Sequence, residues 1–298
     1  MQNAIEVVDL KKSYDNFSLN NVSFTVPDNC ITGFIGANGA GKSTTIKSIL
    51  RLINTDSGSV RFWGMEFDKH EQEIKDRIGV VLDDGSFYDH LTMAQMKNIL
   101  APAYSTWDEN AFKANMEFFS LNPKQKISTL SKGMRAKYAL ALALSHNADL
   151  LIMDEPTSGL DPLVRREFMD IILDFMKKDG KSVLFSTHIV SDLERVADML
   201  LLIHKGNIIF QEEKDTLLDK HKLIKGKKTE ITAESRKLFL FLNETEYGFE
   251  GITKNAEQIK RFCPSAIIER ATIEDIMFAY VGDTLVKPAA WIAHMPLI

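Results

Sequence analysis

The sequence is constrained most strongly by residues 36–44, GANGAGKST, which follow the apolar run 30–35 and open an apparent helix. This context is the one that a phosphate-binding P-loop requires. Gly36, Gly39 and Gly41 let the backbone turn tightly and bring several amide N–H groups close to phosphate oxygens. The helix that follows directs the positive end of its dipole at the same charge. The segment therefore predicts a site for a nucleoside triphosphate between a buried strand and a helix.

Two side chains of this loop have predicted roles of their own. Lys42 can reach the β- and γ-phosphates and assist their transfer, and Ser43 can offer its hydroxyl to the Mg²⁺ ion that bridges them. The alternative is a glycine-rich strand-to-helix turn without function. We expect the whole loop to hold the phosphates, through Gly36, Ala37, Asn38, Gly39, Ala40, Gly41, Lys42, Ser43 and Thr44.

A second motif lies at residues 150–157, LLIMDEPT, where four apolar residues end in two adjacent carboxylates. A buried strand would deliver these carboxylates to the carboxyl edge of a sheet, where α/β folds bind their ligands. Asp154 is then suited to hold Mg²⁺, and Glu155 can polarise or deprotonate the attacking water. Taken alone, an acidic pair at a strand end is more often a surface loop. The P-loop in the same chain favours the catalytic interpretation.

Composition excludes several classes of protein. The chain has 298 residues, 45% of them hydrophobic and 26% charged, which is ordinary for a globular protein with one large core and a smaller appendage. Its formal net charge of -5 argues against a nucleic-acid partner, because such a protein usually carries a basic surplus. The N-terminal residues show no signal-peptide pattern, and the apolar runs are shorter than the roughly 20 residues needed to cross a bilayer. Any membrane role is therefore expected to go through a partner.

Hydrophobic patterning predicts the organisation of the chain. Alternating segments at 5–10 and 22–26 indicate an antiparallel layer, and residues 91–145 read as mostly helical. We expect an α/β fold, with a P-loop NTPase core, an antiparallel β-layer and an inserted α-helical subdomain. A small C-terminal α+β domain follows. The predicted domains are 1–215, with the helical subdomain at about 88–146, and 216–298.

The C-terminal part gives weaker signals. Residues 221–228, HKLIKGKK, are predicted to be an exposed, solvated linker, although a basic stretch could also meet anionic lipid. The apolar segment 288–298 could pack on the accessory domain, contact a partner or be disordered.

Further motifs carry a family resemblance. Residues 130–134, LSKGM, open a helix shortly before the acidic strand end, residues 158–161, SGLD, follow it, and His188 ends the strand-like VLFSTH. The nucleotide-binding subunits of ATP-binding cassette (ABC) transporters carry five motifs in this same order. They are the P-loop, the signature segment (here LSKGM), the acidic strand end, the D-loop (here SGLD) and the switch histidine (here His188). The chain resembles that family over roughly residues 1–215.

The resemblance implies a head-to-tail dimer that encloses two ATP molecules. Each ATP would be held by the P-loop of one chain and by Ser131 and Gly133 at the signature helix of the other. Tyr14 matches the aromatic position whose ring stacks on adenine in this family. His188 would contact the γ-phosphate or hold the attacking water together with Glu155.

Two departures from the family pattern stand out. The common signature is LSGGQ, whereas this chain carries Lys132 and Met134 in the third and fifth places. The family's Q-loop glutamine, a ligand of Mg²⁺, is replaced by Asp83. We expect Asp83 to take over as a metal ligand and to strengthen the need for Mg²⁺, because an added carboxylate repels triphosphate when the metal is absent. Asp84 is the alternative for this role.

The resemblance also implies partners and location. We expect a Mg²⁺-dependent ATPase, with ATP as its nucleotide, that pairs as a homodimer or with another ATPase subunit of the family. Separate transmembrane permease subunits would hold it in the cytoplasm, on the inner face of the cell membrane, and Phe87, Tyr88 and His90 could help to dock them. Residues 271–280, ATIEDIMFAY, resemble the closing helix of exporter-type cassettes. Two alternatives stay open: a soluble ABC ATPase acting on nucleic acid or ribosomes, and an ATP-binding regulatory module.

Overall fold

The computed structural model describes residues 2–83 and 87–282. The chain forms two compact units, Met1–Gln211 and Glu212–Ile298. The sequence places the domain boundary four residues later, and the finer limits of the helical subdomain stay predictions. Asp84 and the apolar segment 288–298 lie outside the described residues.

The strands of the described residues, in chain order, are β1 (Asn3–Tyr14), β2 (Phe17–Pro27), β3 (Ile31–Ile35), β4 (Ser57–Phe62), β5 (Met65–Glu66), β6 (Ile78–Val81), β7 (Leu150–Asp154), β8 (Ser182–Thr187), β9 (Met199–His204), β10 (Asn207–Glu213), β11 (Lys222–Gly226), β12 (Phe239–Glu244), β13 (Phe249–Thr253) and β14 (Ile267–Arg270).

The α-helices of the same residues are α1 (Lys42–Ile49), α2 (Glu71–Arg77), α3 (Met93–Leu100), α4 (Glu109–Phe118), α5 (Lys132–Ala143), α6 (Pro162–Met176), α7 (Val190–Val196), α8 (Lys214–Lys220), α9 (Ala233–Arg236), α10 (Ala256–Phe262) and α11 (Ile273–Val281). Single 3₁₀ turns occur at Ala101–Ala103, Ile127–Thr129 and Lys228–Glu230.

A six-stranded sheet in the order β10-β9-β3-β8-β7-β6 forms the centre of the first unit. Strands β3, β7 and β8 are apolar, parallel to their neighbours and buried along their whole length. Helices cover both faces of such a sheet, which is why continuous apolar runs replace alternation here. Because β8 pairs with both β3 and β7, the carboxyl ends of these three strands meet at one edge of the sheet.

A separate antiparallel layer in the order β2-β1-β4-β5 packs over this core. Its first two strands have 12 and 11 residues, longer than the alternating segments predicted from the sequence. Register shifts along β1 interrupt the strict alternation on which the sequence prediction rested. The predicted antiparallel layer is confirmed.

The helical insertion between β6 and β7 is also confirmed. Within its described residues it contains α3, α4 and α5, and one isolated bridge joins Thr92 to Lys126. The buried Tyr138 hydroxyl of α5 donates a hydrogen bond of 2.7 Å to the Met93 carbonyl at the start of α3. This bond ties the beginning of the insertion to its last helix.

The second unit contains a four-stranded sheet in the order β12-β13-β11-β14. The prediction of a solvated linker at 221–228 is wrong, because residues 222–226 form β11, which pairs with β13 on one side and β14 on the other. Ile224 is completely buried in the core of this unit, and Lys225 pairs with Glu269 on β14 at 2.7 Å. The strand was missed because its lysines suggest an exposed loop. It has only one fully buried side chain, which is too few to show the periodic hydrophobic pattern of a strand.

Candidate functional site

Three loops converge at the carboxyl edge of the central sheet. The P-loop follows β3, Glu155 follows β7 and His188 follows β8. Together they border an open cleft of ≈ 550 Å³. Its lining consists of Asn16, Phe17, Asn38, Gly39, Gly41, Lys42, Ser43, Thr44, Asp83, Glu155, Ser158 and His188.

The P-loop backbone has the form that a phosphate cradle needs. Gly41 has φ of 118°, a conformation open to glycine, and it directly precedes α1. The Ala40 carbonyl accepts a hydrogen bond of 2.9 Å from the amide of Gly206, whose turn joins β9 to β10. Gly206 and Lys205 both have positive φ, as a tight two-residue turn between strands requires. The hydrogen bond to the Ala40 carbonyl ties the P-loop to the turn between β9 and β10.

Lys42, Glu155 and His188 form a connected charged group. The Lys42 ammonium is 5% exposed and lies 3.0 Å from Glu155 Oε1. It also donates hydrogen bonds to the carbonyls of Gly36 at 2.7 Å and Ala37 at 3.3 Å. His188 Nδ1 lies 2.7 Å from Glu155 Oε2. The structure thus brings all three predicted catalytic residues together.

Ser186, which the sequence analysis missed, organises the acidic pair. Its hydroxyl donates a hydrogen bond of 2.6 Å to Asp154 Oδ1 and accepts one of 3.0 Å from the Glu155 amide. Glu155 has φ of 48°, which is uncommon for a residue other than glycine and is often found at functional sites. A serine directly after the apolar run 183–185, near the carboxyl end of β8, was the available sequence signal. Ser186 thus fixes the Asp154 carboxylate and the backbone of Glu155 at the same time.

The loop after the acidic pair is supported by a buried carboxylate. The Thr157 hydroxyl donates a hydrogen bond of 2.8 Å to Asp192 Oδ2. Burial raises the pKa of Asp192, although this hydrogen bond and the Arg165 charge oppose the shift. The contact joins the loop after β7 to α7, the helix that follows His188. It therefore helps to fix the positions of the two loops that carry Glu155 and His188 relative to each other.

The wall of the cleft beside the β1–β2 hairpin is formed by Asn16 and Phe17. The Phe17 ring packs so closely on the P-loop that a Cβ added at Gly41 would lie 2.9 Å from it. Tyr14 pairs with Phe17 across the hairpin, is 50% exposed and has the Lys12 ammonium 5.4 Å from its ring centre. Sequence reasoning missed Phe17, and its position in the same hairpin as Tyr14 was the available signal. Adenine stacking by Tyr14 stays a prediction.

The signature segment begins helix α5. Ser131 is its N-cap, and its hydroxyl accepts a hydrogen bond of 3.2 Å from the Met134 amide. Gly133 has open surroundings, with Val164 3.5 Å from an added Cβ. Among the described residues, Ser131, Gly133 and Tyr14 are outside the set that lines the cleft. Ser131 and Gly133 therefore lie outside the cleft lining of their own chain.

The predicted metal ligands are divided between the cleft and the layer behind it. Ser43 and Asp83 line the cleft, whereas Asp154 is 2% exposed and bonded to Ser186. Over residues 2–83 and 87–282, no cluster of three or more His, Cys, Asp or Glu side chains is arranged around a metal position. Mg²⁺ commonly takes only one or two protein ligands and completes its shell with water and phosphate, so the oxygen donors present suit it.

Comparison with known proteins agrees with this geometry. A family model described as ABC transporter matches residues 19–158. The bacitracin transport ATP-binding protein BcrA of Bacillus licheniformis is 35% identical over 212 residues, which cover 70% of this chain and 69% of that protein. The chain belongs to the ABC transporter ATP-binding proteins. The lantibiotic transport ATP-binding protein SrtF of Streptococcus pyogenes is 32% identical over 213 residues, covering 71% of this chain and 91% of that protein.

A solved structure supports the same assignment. The structure described as the ATP-binding subunit of an ABC transporter superposes with a TM-score of 0.65 at 28% identity, covering 72% of this chain and 92% of that one. Membership of the ABC family makes the chain the ATP-binding and ATP-hydrolysing subunit of a transporter. No helix in the described part of the chain combines the length and apolarity that a bilayer crossing demands.

Proposed function

We propose that this ABC protein is a Mg²⁺-dependent ATPase that drives export through separate transmembrane permease subunits, on the cytoplasmic face of the membrane. The observation that carries the proposal is the Lys42–Glu155–His188 group at the P-loop, with contacts of 3.0 and 2.7 Å. Glutamate and histidine at this place can accept and hold the proton of an attacking water, while the lysine and the loop amides stabilise phosphate charge.

Glu155 has a different partner before and after ATP binds in this proposal. In the structure its carboxylate lies against Lys42, with Oε1 3.0 Å from the ammonium. The γ-phosphate of ATP is a stronger partner for Lys42 and competes for the ammonium. Glu155 is then free to take the proton of a water held beside His188. Binding of the correct ligand thereby prepares the base for catalysis.

Mg²⁺ would be held by Ser43 and Asp154, with Asp83 as a further ligand. The hydrogen bond from Ser186 fixes the orientation of Asp154, as a second layer of contacts does in metal sites. When bound, the ion would supply positive charge that offsets the negative charge developing on the phosphates during transfer.

The proposed partner in hydrolysis is a second copy of this chain or a paired ATPase subunit of the same family. Ser131, Gly133 and the amide end of the 12-residue helix α5 form an anion site that lies outside the cleft of their own chain. A head-to-tail arrangement would place this end over ATP bound to the partner. ATP then joins the two chains, and hydrolysis releases them.

The proposed permease dock includes Tyr88 and His90, which are exposed, and Phe87, whose ring centre lies 5.1 Å from that of Tyr138. Through Tyr138 this surface connects with α5, the helix that carries the signature segment. Motion of α5 during dimer closure could thus be passed to a permease. The two transport proteins named above, for bacitracin and for a lantibiotic, support the export of a cargo of that kind.

The decisive experiment measures phosphate release by the purified chain and by Glu155→Gln. We expect Glu155→Gln to lower the rate by about 10²-fold or more, because the neutral amide cannot accept the proton. ATP affinity should be retained, since the loop and Lys42 are intact. Glu117→Gln, which changes an exposed carboxylate on α4, is the control and should hydrolyse ATP like the unaltered chain.

Comparable rates for the unaltered chain and Glu155→Gln would reject this mechanism and favour the regulatory-module alternative. Removal of Mg²⁺ by a chelator should abolish release in the unaltered chain. Undiminished release in the chelator would contradict the metal requirement alone.

A further inference from the structure

Two of the three residues that depart from the family pattern, Asp83 and Lys132, contact each other. Asp83 Oδ1 lies 3.0 Å from Lys132 Nζ, with side-chain exposures of 41% and 48%. Asp83 is the second residue after the end of β6, and Lys132 is the first residue of α5. This chain therefore carries Asp83 where the family has a glutamine and Lys132 where the family has a glycine. The fold brings these two opposite charges into contact.

Asp83 needs a counter-charge because of where it lies. It lines the same cleft as Lys42, Ser43 and the P-loop glycines. A triphosphate without metal carries about four negative charges, and an unpaired carboxylate on the wall of its cleft would repel it. An exposed ion pair adds little to the free energy of folding. We therefore expect the main effect of this pair to be on the electrostatic potential in the cleft.

Lys132 is held in position by more than the ion pair. Its Cδ lies 3.3 Å and its Nζ 3.4 Å from a Cβ added at Gly159, so the side chain extends along the SGLD loop. Gly159 has φ of 69°, and its missing side chain leaves room for the lysine stem. The ammonium is thereby guided from the start of α5 to Asp83.

A second ion pair next to the first provides a comparison within the same chain. Arg135 lies three residues after Lys132, on the same side of α5, and its Nη2 is 2.5 Å from Asp89 Oδ1. Neither Arg135 nor Asp89 lines the cleft. The two pairs share a helix and the segment after β6, but only the first includes a residue, Asp83, that lines the cleft.

We propose that Lys132 determines the affinity of this site for polyphosphate by acting as the counter-ion of Asp83. Lys132 is a positioning residue: it acts on the nucleotide through the carboxylate that it neutralises. The inference rests on the proposed function only in taking this cleft as the ATP site. It predicts that the two residues behave as a unit, so that the loss of the lysine matters only while Asp83 keeps its charge.

The test measures binding of ATP to the full chain by isothermal titration calorimetry, with a chelator and at low salt. Lys132→Met keeps the stem that packs beside Gly159 and removes the charge. We expect it to weaken metal-free ATP binding by about three- to tenfold, a change of the size expected for one nearby exposed charge. The double variant Lys132→Met with Asp83→Asn should return to within about twofold of Asp83→Asn alone.

Three further measurements separate this role from others. Arg135→Met should change ATP affinity by less than about twofold, because its pair lies outside the cleft. The effect of Lys132→Met should shrink for AMP, which carries less charge, and at about 0.5 M salt, where screening is strong. Melting temperatures close to that of the unaltered chain would show that each variant is folded.

Each opposite result overturns the proposal. If the double variant keeps the full loss of Lys132→Met, the lysine acts on phosphate directly and Asp83 is not its target. If Arg135→Met is as harmful as Lys132→Met, the ion pairs act through the structure of α5. If the unaltered chain binds ATP neither with the chelator nor with Mg²⁺ added, the ATP site itself is misplaced, which is a failure of the proposed function and not of the pair.

Discussion

Gly36 marks the closest approach between the P-loop and the neighbouring strand. A Cβ built on it would lie 2.6 Å from the carbonyl oxygen of Ile203 in β9, a distance that real Cβ atoms do not adopt. A backbone oxygen cannot move aside as the end of a flexible side chain can. The absence of a side chain at residue 36 is therefore a requirement of packing as well as of phosphate binding.

We expect Gly36→Ala to lower the free energy of unfolding by about 1–3 kcal/mol and to weaken ATP binding, because the loop must shift away from β9. Gly180→Ala is the control: its φ is 75° with nothing within 4 Å of an added Cβ, so only the backbone conformation is strained. It should cost about 1 kcal/mol and leave ATP affinity unchanged. Urea unfolding and calorimetric titration measure both effects. Equal behaviour of the two variants would show that the approach to Ile203 is unimportant.

His146 connects stability to pH at the scale of a single residue. It is 1% exposed, stacks on Tyr104 with ring centres 4.0 Å apart, and its Nε2 lies 2.9 Å from the Ile78 carbonyl, to which it donates. Burial lowers the pKa of His146, and the carbonyls of Ile78 and Leu142 only partly oppose this. Below the ordinary value of 6.5 the unfolded chain takes up a proton that the folded chain resists.

The stabilising contribution of neutral His146 is therefore present above about pH 6.5 and is lost as the pH falls below it, by at most about 1.4 kcal/mol per pH unit. We expect the difference in urea midpoint between pH 7 and pH 5 to be smaller in His146→Gln than in the unaltered chain. His70→Gln, which changes an exposed histidine, should keep the full difference. An unchanged pH difference in His146→Gln would contradict the assignment.

At the scale of elements, β11 illustrates how the environment of a segment can override its composition. Residues 222–226 contain two lysines and a glycine, yet they form a middle strand of the second sheet, because both neighbouring strands pair with them. Ile224 is the buried side chain that this strand adds to the core. Its stabilising effect comes from packing against residues distant in sequence, such as Phe249 and Ile259.

We expect Ile224→Ala to destabilise the second unit by about 2–4 kcal/mol, the usual cost of truncating a buried isoleucine. Leu240→Ala removes an equally large side chain from β12, but Leu240 is 41% exposed, so its loss should cost much less. Hydrogen exchange of the amides of β11 and β13 under native conditions reports this difference. Similar exchange in both variants would mean that β11 contributes little to this core.

At the scale of the whole molecule, the chain carries a net charge of -5, so two copies repel each other unless something joins them. ATP bound between the P-loop of one chain and the Ser131 end of α5 of the other would supply that link. Hydrolysis-deficient Glu155→Gln should therefore dimerise when ATP and Mg²⁺ are added and be monomeric without them. Light scattering coupled to size-exclusion chromatography measures the mass directly.

The additional substitution Ser131→Arg, which places a bulky side chain at the helix end, should prevent this dimer. It should leave ATP binding by each monomer within about twofold, because Ser131 lies outside the cleft of its own chain. Persistence of the dimer in this variant would place the contact elsewhere. A chain that stays monomeric with ATP and Mg²⁺ would contradict the shared-site arrangement.

The sequence by itself determined the P-loop, the acidic strand end, the antiparallel layer and the helical insertion. Each of these depends on residues close together in the chain: glycine spacing, an apolar run before two carboxylates, and short-range periodicity. Local hydrogen bonding and backbone sterics act over such distances, so the pattern is visible without a fold.

Only the tertiary structure decided which distant residues meet. The contact of Glu155 with Lys42 and His188, the support from Ser186 and the pairing of Asp83 with Lys132 all depend on the order in which β3, β8 and β7 lie in the sheet and on the packing of α5. The position of β11 between two partners was hidden for the same reason. Such contacts are selected by the burial of the whole core, a long-range free energy that no short window of sequence contains.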